Sequence, residues 1–183
     1  MMKKWLSKCI QKLSLGRLAE EDGMAAVEAA YIFPIMLTMM LGVYDIGNGI
    51  IANQKTIRAS QVTADLVARH ACVDANMINE AVKGGEHALT PMSLSTYGVD
   101  IVSVRFDSDS NASIEWRETR NMTPMGDVLT RVAPIASSDE GVLVVAVEYV
   151  YQPLFAGFLI DDALMQEIAF ARGRKSSVIE NSC

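Results

Sequence analysis

Glu28 is the only charged residue between Met24 and Tyr44, in a run otherwise made of apolar and small residues. A charged side chain at the centre of a membrane-spanning helix costs roughly 2.5–3.5 kcal/mol on insertion scales, so such carboxylates are usually paired and functional. The chemistry this position offers is therefore charge pairing in an apolar environment. Glu28 also lies five residues after Gly23, where a polar head meets the apolar run.

The head is basic at its start, and its cations are Lys3, Lys4, Lys8, Lys12 and Arg17. Because Lys and Arg that flank a span tend to stay in the cytoplasm, this pattern predicts a cytoplasmic N-terminus and an exported remainder. Residues 24–44 would reach about 31 Å as a helix, which matches a hydrocarbon core of about 30 Å. We predict a retained transmembrane helix over residues 24–51, not a cleaved secretory signal.

The rest of the chain, residues 52–183, is long enough for one modest domain. The chain has a formal net charge of −6 at pH 7, and no basic stripe is present, so we predict no nucleic-acid partner. No nucleophile elbow, phosphate-binding glycine loop or metal signature is found, so we predict no enzyme activity, no cofactor, no metal and no small-molecule substrate. Asp107 opens a stretch that superficially resembles a calcium loop, but Ala112 stands where that loop needs Gly, and a polar hairpin turn is preferred.

The hydrophobic periodicity predicts an α+β fold, in which a long N-terminal transmembrane helix continues into a domain with a small antiparallel β-sheet. The helix is expected to continue unbroken through residues 50–71, and a second helix, at 77–89, to be closed by Pro91. The remaining predicted elements are a hairpin at 99–106 and 112–117, a loop or short helix at 121–139, and strands at 142–151 and 166–172.

Residues 142–160 allow a second interpretation, because they are almost entirely apolar and could be a second span. Arg172, Arg174 and Lys175 would then lie on the cytoplasmic side. We prefer a buried strand followed by an apolar loop, because Glu148 would lie near the centre of that span and Pro153 would interrupt it.

The N-terminal motif consists of Gly23-Met24-Ala25-Ala26-Val27-Glu28-Ala29 followed by Ile32-Phe33-Pro34-Ile35-Met36-Leu37. It resembles the N-terminus of the TadE/TadG-like minor pseudopilin family of the tight-adherence (Flp) type IV pilus system. Looser similarity continues through Gly42 and the stretch from Val144 to Phe155. The resemblance implies a leader over residues 1–23 that a prepilin peptidase removes after Gly23. Glu28 is then the fifth residue of the mature chain.

The resemblance also implies an inner-membrane protein with a single span and a periplasmic TadE-like α+β domain over residues 52–183. Its expected partners are the prepilin peptidase, other Tad pilus components and pseudopilins, and the lipid bilayer. Its expected function is pilus assembly in adhesion, through helix–helix and periplasmic contacts.

Cleavage after Gly23 gives the proposed site its chemistry. The new α-amino group of Met24 has an unperturbed pKa of about 8, so it is a cation at neutral pH. Glu28 of one subunit can neutralise the Met24 amine of a neighbour, and such a pair fixes helix register more than it adds stability. Pro34 and Gly42 are expected at helix packing positions, since Pro34 lacks an amide proton and Gly42 permits close approach.

The three cysteines divide by compartment. Cys9 lies in the cytoplasmic leader, whereas Cys72 and Cys183 lie outside, where a disulfide could tie the C-terminal tail to the end of the stem helix. Two separate thiols are the alternative.

One further functional class fits the same residues. The chain could be a permanently anchored periplasmic binding or sensing protein, in which the spacing from Gly23 to Glu28 is a coincidence. The mature N-terminus distinguishes the two classes.

Overall fold

The computed structural model describes the backbone of residues 2–155, 157, 161–181 and 183, and the side chains from residue 23 onward within those ranges. The chain divides into two compact units, Met1–Asp45 and Ile46–Cys183. The helices are α1 (Met2–Ala68), α2 (Ala75–Leu89) and α3 (Val128–Val132), with a 3₁₀ turn at Ala133–Ile135. The strands are β1 (Gly98–Phe106), β2 (Ala112–Arg120), β3 (Gly141–Tyr151) and β4 (Ala163–Ala171).

This architecture confirms the predicted α+β fold, with a long N-terminal helix and a small antiparallel sheet. The strand at 142–151 is also confirmed, and it pairs with both β1 and β4. The boundaries differ by a few residues. α1 ends at Ala68, not at residue 71, and β4 begins at Ala163, three residues before the predicted strand. The extra residues of β4 are accounted for by pairing with Tyr151 and Val150 at the end of β3.

Within the described residues the strands form one antiparallel sheet in the order β2-β1-β3-β4. β1 and β2 form the predicted hairpin, with an irregularity in register between Ser103 and Val104 of β1. Its turn is polar, because the Asp107 carboxylate accepts hydrogen bonds from the backbone N–H groups of Asp109 and Asn111, at 3.0 and 2.7 Å. The stretch after Asp107 that superficially resembles a calcium loop is therefore a hairpin turn, as predicted.

Both faces of the central strands are buried. On one face, Val99 and Val145 pack with residues of α2 and of the part of α1 after residue 45. On the other face, Val102 and Val144 pack against Val128 of α3 and its neighbours. Burial on both faces explains why β3 is a nearly continuous apolar run, whereas β1 also buries the polar side chains of Asp100 and Ser103.

Glycines allow α2 to approach α1 closely. A β-carbon at Gly84 would lie 2.5 Å from Cδ1 of Leu66, and one at Gly85 would lie 2.5 Å from Oγ1 of Thr63. These separations are far shorter than real carbon contacts, so a larger residue at either position would have to displace the side chain it meets. The Gly84-Gly85 pair lowers the helix propensity of α2, but it leaves room for these side chains between the two helices.

A buried ion pair fixes the segment before α3 to the sheet. Asp100 of β1 is 1% exposed and accepts hydrogen bonds from Nε of Arg117 at 2.9 Å and Oγ1 of Thr119 at 2.7 Å. The backbone N–H of Met125 donates to the same carboxylate at 3.0 Å, and the Arg117 guanidinium donates to the Met125 carbonyl at 2.8 Å. Burial alone would raise the pKa of Asp100, but the hydrogen bonds from Arg117, Met125 and Thr119 lower it below 3.8.

We expect Asp100→Asn to destabilise the protein by roughly 3 kcal/mol at neutral pH, because the partly buried Arg117 loses its counter-charge. A carboxylate with a lowered folded-state pKa stabilises the fold above its unfolded value and loses this contribution as the pH falls through the folded value. The difference in free energy of unfolding between wild type and variant should therefore shrink as the pH falls below 3.8, measured by denaturant titration in detergent.

Asp109→Asn, at an exposed position of the hairpin turn, is the matched control and should leave the free energy of unfolding nearly unchanged. A difference between wild type and Asp100→Asn that is absent, or that is constant from pH 7 to strongly acidic pH, would contradict this account.

Candidate functional site

The segment from Gly23 to Glu28 lies within one continuous helix, and each of its residues is exposed. Five residues of helix rise about 7.5 Å, so Glu28 lies little more than one turn beyond Gly23. Helical Cα–Cβ bonds tilt toward the N-terminus, and Glu28 is therefore oriented toward the level of Met24. A new amine at Met24 would appear at the level to which the Glu28 carboxylate already points.

The helix itself offers Glu28 no cationic partner. Residues 24–54 contain no Lys, Arg or His, so the positions three and four residues away on either side are all uncharged. Arg17 is eleven residues earlier, which is about 16 Å along a helix. If Glu28 enters an apolar environment, its counter-charge must come from a new chain terminus or from another molecule.

Most of the apolar side chains around Glu28 are exposed. Within the described residues, one helix is long and apolar enough to cross a membrane, and no residue of its most apolar 18-residue window is buried. The exposed large apolar residues up to Asp45 are Met24, Val27, Tyr31, Ile32, Phe33, Ile35, Met36, Leu37, Met39, Met40, Val43 and Tyr44. An apolar surface of this extent requires lipid or other helices to cover it, which makes α1 a candidate membrane anchor.

Pro34 and Gly42 both lie inside α1, and the helix is continuous through them. Pro34 has no N–H group to donate to the carbonyl four residues earlier, while its own carbonyl accepts a 2.8 Å hydrogen bond from Oγ1 of Thr38. A β-carbon at Gly42 would meet nothing within 4 Å, so the space beside it is open to another helix. The basic side chains of the leader, and Cys9, lie outside the described side chains.

The C-terminal tail is built into the domain. The Val73 N–H donates to the Glu180 carbonyl at 2.8 Å, and the Arg174 N–H donates to the Ala68 carbonyl at 2.9 Å, where α1 ends. The buried Ile179 carbonyl accepts hydrogen bonds from Nε1 of Trp116 at 2.7 Å and from Oγ of Ser103 at 2.9 Å. The tail thus closes one end of the core between the helices and the sheet.

The structure joins Cys72 to Cys183 in a disulfide across a sequence separation of 111 residues. Cys72 also pairs with Glu180 as a short parallel bridge. The disulfide therefore joins the two ends of residues 72–183, the segment that contains the whole four-stranded sheet. Residues 142–151 belong to the sheet, so the alternative interpretation of residues 142–160 as a second membrane-spanning helix is wrong.

Sequence reasoning missed the tail contacts and the Asp100 network. A signal for the network was present, because Asp100 occupies a position in β1 that should be apolar, and Arg117 and Thr119 alternate in the next strand. The acceptor for Trp116 could not be inferred, because Ile179 lies 63 residues away and uses a backbone carbonyl.

The two edges of the sheet are protected to different degrees. β2 carries Glu115, Arg117, Glu118 and Arg120, and such charges are a common defence against pairing with other chains. β4 has one charged residue, Glu167, and exposes Leu164 and Phe170. Within the described residues no strand lies beside its outer edge. β4 is therefore the edge more suited to contact with another protein.

The fold and the exposed helix define a class of protein in which one candidate membrane helix carries a small α+β domain. The comparison with protein families is more specific. Residues 23–65 match the family model TadE, described as TadE-like protein, which confirms the resemblance seen at the N-terminus. Members of the TadE-like family are structural components of the pilus, so the match suggests a component associated with the Tad pilus.

The TadE match lies entirely within α1, so the sheet is outside it. No curated protein and no solved structure gives a significant match to the chain.

We expect Cys183→Ser to lower the free energy of unfolding by about 2–4 kcal/mol, because a crosslink between distant residues restricts the unfolded chain. Denaturant titration of the purified oxidised protein measures the change. Cys72→Ser should match Cys183→Ser, and the double variant should lose no more than either single variant. Equal stability of the wild type with and without a reducing agent would contradict a bond between these two residues.

Proposed function

We propose that the protein is a minor pseudopilin of a tight-adherence pilus, made as a precursor and cut after Gly23 by a prepilin peptidase. The observation that carries this proposal is the start of the family match at Gly23, the residue after which the cut is expected. In the sequence, the apolar run whose only charge is Glu28 begins at the next residue, Met24. The proposed leader therefore ends where the family match and this apolar run both begin.

In this proposal, processing acts as a switch for assembly. The uncut chain has a carboxylate at Glu28 and no cation at its level, since residues 24–54 contain no basic side chain. The cut chain has a protonated amine at Met24, with an ordinary pKa of about 8. When helices pack together in an apolar environment, the amine of one subunit and the Glu28 carboxylate of its neighbour neutralise one another. Misaligned helices would leave two unpaired charges, so the pair selects the register.

The proposed location is the inner membrane, with the N-terminus in the cytoplasm and the sheet domain in the periplasm. The basic residues of the leader support this orientation through the positive-inside rule. The disulfide between Cys72 and Cys183 supports it independently, since structural disulfides persist in the periplasm and are rare in the cytosol. The N-terminal cysteine, Cys9, would be lost with the leader.

The proposed periplasmic contact uses the outer edge of β4. An extended segment of another pilus component would add to the sheet there, with main-chain hydrogen bonds providing affinity. The exposed Leu164 and Phe170 lie on one face of this strand and would pack against alternate side chains of the added segment. Helix packing beside Gly42 and Pro34 would provide the contact within the membrane.

Gly23→Leu should abolish processing, because the prepilin peptidase site requires the small residue before the cut. Intact mass and N-terminal sequencing of protein from cells that contain the peptidase should find Met24 first in the wild type and Met1 in the variant. Gly42→Leu is the matched control, since it makes the same replacement elsewhere in α1, and it should be processed normally. A wild-type chain that still begins at Met1 would rule out processing and favour the permanently anchored alternative.

Glu28→Ala should still be cut after Gly23 but should fail to assemble, because the Met24 amine loses its counter-charge. Glu28→Gln tests charge separately from size and should show the same defect. Surface pili and mature protein are measured together, so that loss of assembly is seen at constant amounts of cut protein. Normal piliation in both variants would contradict the proposed charge pair.

A further inference from the structure

The connection between β3 and β4 begins beside the point where α1 leaves its most apolar stretch. The ring of Tyr151, the last residue of β3, lies so close to Gly49 that a β-carbon there would be 3.5 Å from Cε1 of Tyr151. Gly49 follows Tyr44, the last residue of the apolar run, by five residues. Even a fully extended chain of five residues spans at most about 18 Å. The connection therefore starts close to the membrane boundary whatever direction the helix takes.

Apolar side chains are concentrated at this end of the domain. Leu154 is 72% exposed and Phe155 is 43% exposed in the connection, and Leu164 at the start of β4 is 61% exposed. We call these three residues, together with Leu94, the loop end. Leu94 is 44% exposed and belongs to a segment bound to the end of β3, because Oγ1 of Thr96 donates to the Val150 carbonyl at 3.1 Å.

The loop end continues an apolar surface on α1 itself. Ile46 and Ile50 are 56% and 57% exposed, although they lie beyond the predicted 24–44 run. The opposite end of β3 is different, because exposed ion pairs surround it, between Arg172 and Glu140 and between Arg174 and Asp65. Exposed apolar side chains are thus more numerous at the end where the membrane helix emerges, whereas ion pairs lie beside Phe170 and Ile135 at the end where the tail is bound.

We propose that the loop end inserts into the surface of the lipid bilayer and holds the domain against the membrane. This inference rests on the membrane anchoring of α1 in the proposed function. Exposed apolar residues next to a span are stabilised by entering the interface, where shallow insertions reach about 5–10 Å. Asp161 and Asp162 are exposed at the end of the connection itself, and their charges limit the depth of insertion.

The bilayer is favoured over a protein partner because the short chain segment between Tyr44 and Gly49 keeps the loop end close to the membrane. A tether of a few residues gives a high effective concentration, so weak apolar contacts with lipid are formed without another component. Such an insertion would keep the domain of an unassembled subunit in contact with the membrane surface. Transfer into a pilus would then require the loop end to leave the lipid.

The test uses the full-length protein, reconstituted in vesicles of phosphatidylethanolamine and phosphatidylglycerol, with Cys9→Ser and the Cys72–Cys183 disulfide intact. A bimane dye is attached at Phe155→Cys, and its emission is recorded with and without phosphatidylcholine that carries a doxyl quencher near the headgroup. We expect a blue shift and clear quenching. Leu154→Cys repeats the measurement in case the first variant fails to fold.

Leu129→Cys, an exposed apolar position on α3, is the matched control and should show neither effect. Phe33→Cys reports on the anchor and should be quenched by doxyl groups deep in the chains. Quenching at Phe33 without quenching at either loop position would overturn this inference and leave the anchor intact. Absence of quenching at Phe33 would overturn the anchor itself. A loop dye that is protected only when other pilus components are added would identify a protein occupant and also overturn the inference.

Discussion

The constraint on which the rest of the structure depends is the uncovered apolar surface of α1 with a single carboxylate in it. From Met24 to Tyr44 the helix buries almost nothing within the described structure, and Glu28 is its only charge. Lipid tails can cover the apolar side chains but offer the carboxylate no counter-charge. An ionised Glu28 in this surface therefore requires a cation from outside the helix, and the proposed cleavage after Gly23 creates one at the level of Met24.

The domain that follows is held together by contacts that lie outside the apolar surface of α1. Both faces of the central strands are covered. The tail is bound to the sheet by hydrogen bonds from Trp116 and Ser103, and to the end of α1 by the hydrogen bond from the Arg174 N–H. The Cys72–Cys183 disulfide holds it as well. None of these contacts uses the apolar surface before residue 45. Transfer of the helix from lipid to a helical assembly would therefore leave the core of the domain intact.

Much of this organisation could be predicted from the sequence. The apolar run, the strand periodicity and Pro91 predicted the helices and the sheet, because local periodicity follows directly from which faces are buried. The Asp100 network and the Ile179 carbonyl could not be predicted in the same way, since they join residues that are distant in sequence and depend on strand register. The site at Gly23 and Glu28 was located by its spacing, and the family match covers it. In the proposed function, the surroundings of this site belong to an assembly of several chains, which one chain cannot show.

The most direct measurement is zero-length crosslinking of assembled pili with a carbodiimide, which joins a carboxylate to an amine only where the two are in contact. Mass spectrometry of the digested product should find an amide between the Met24 amino group and a glutamate of a neighbouring subunit, or between Glu28 and a neighbour's N-terminal amine. Assembled chains that retain residues 1–23, or a Met24 amine that remains fully reactive toward soluble amine reagents, would contradict the account.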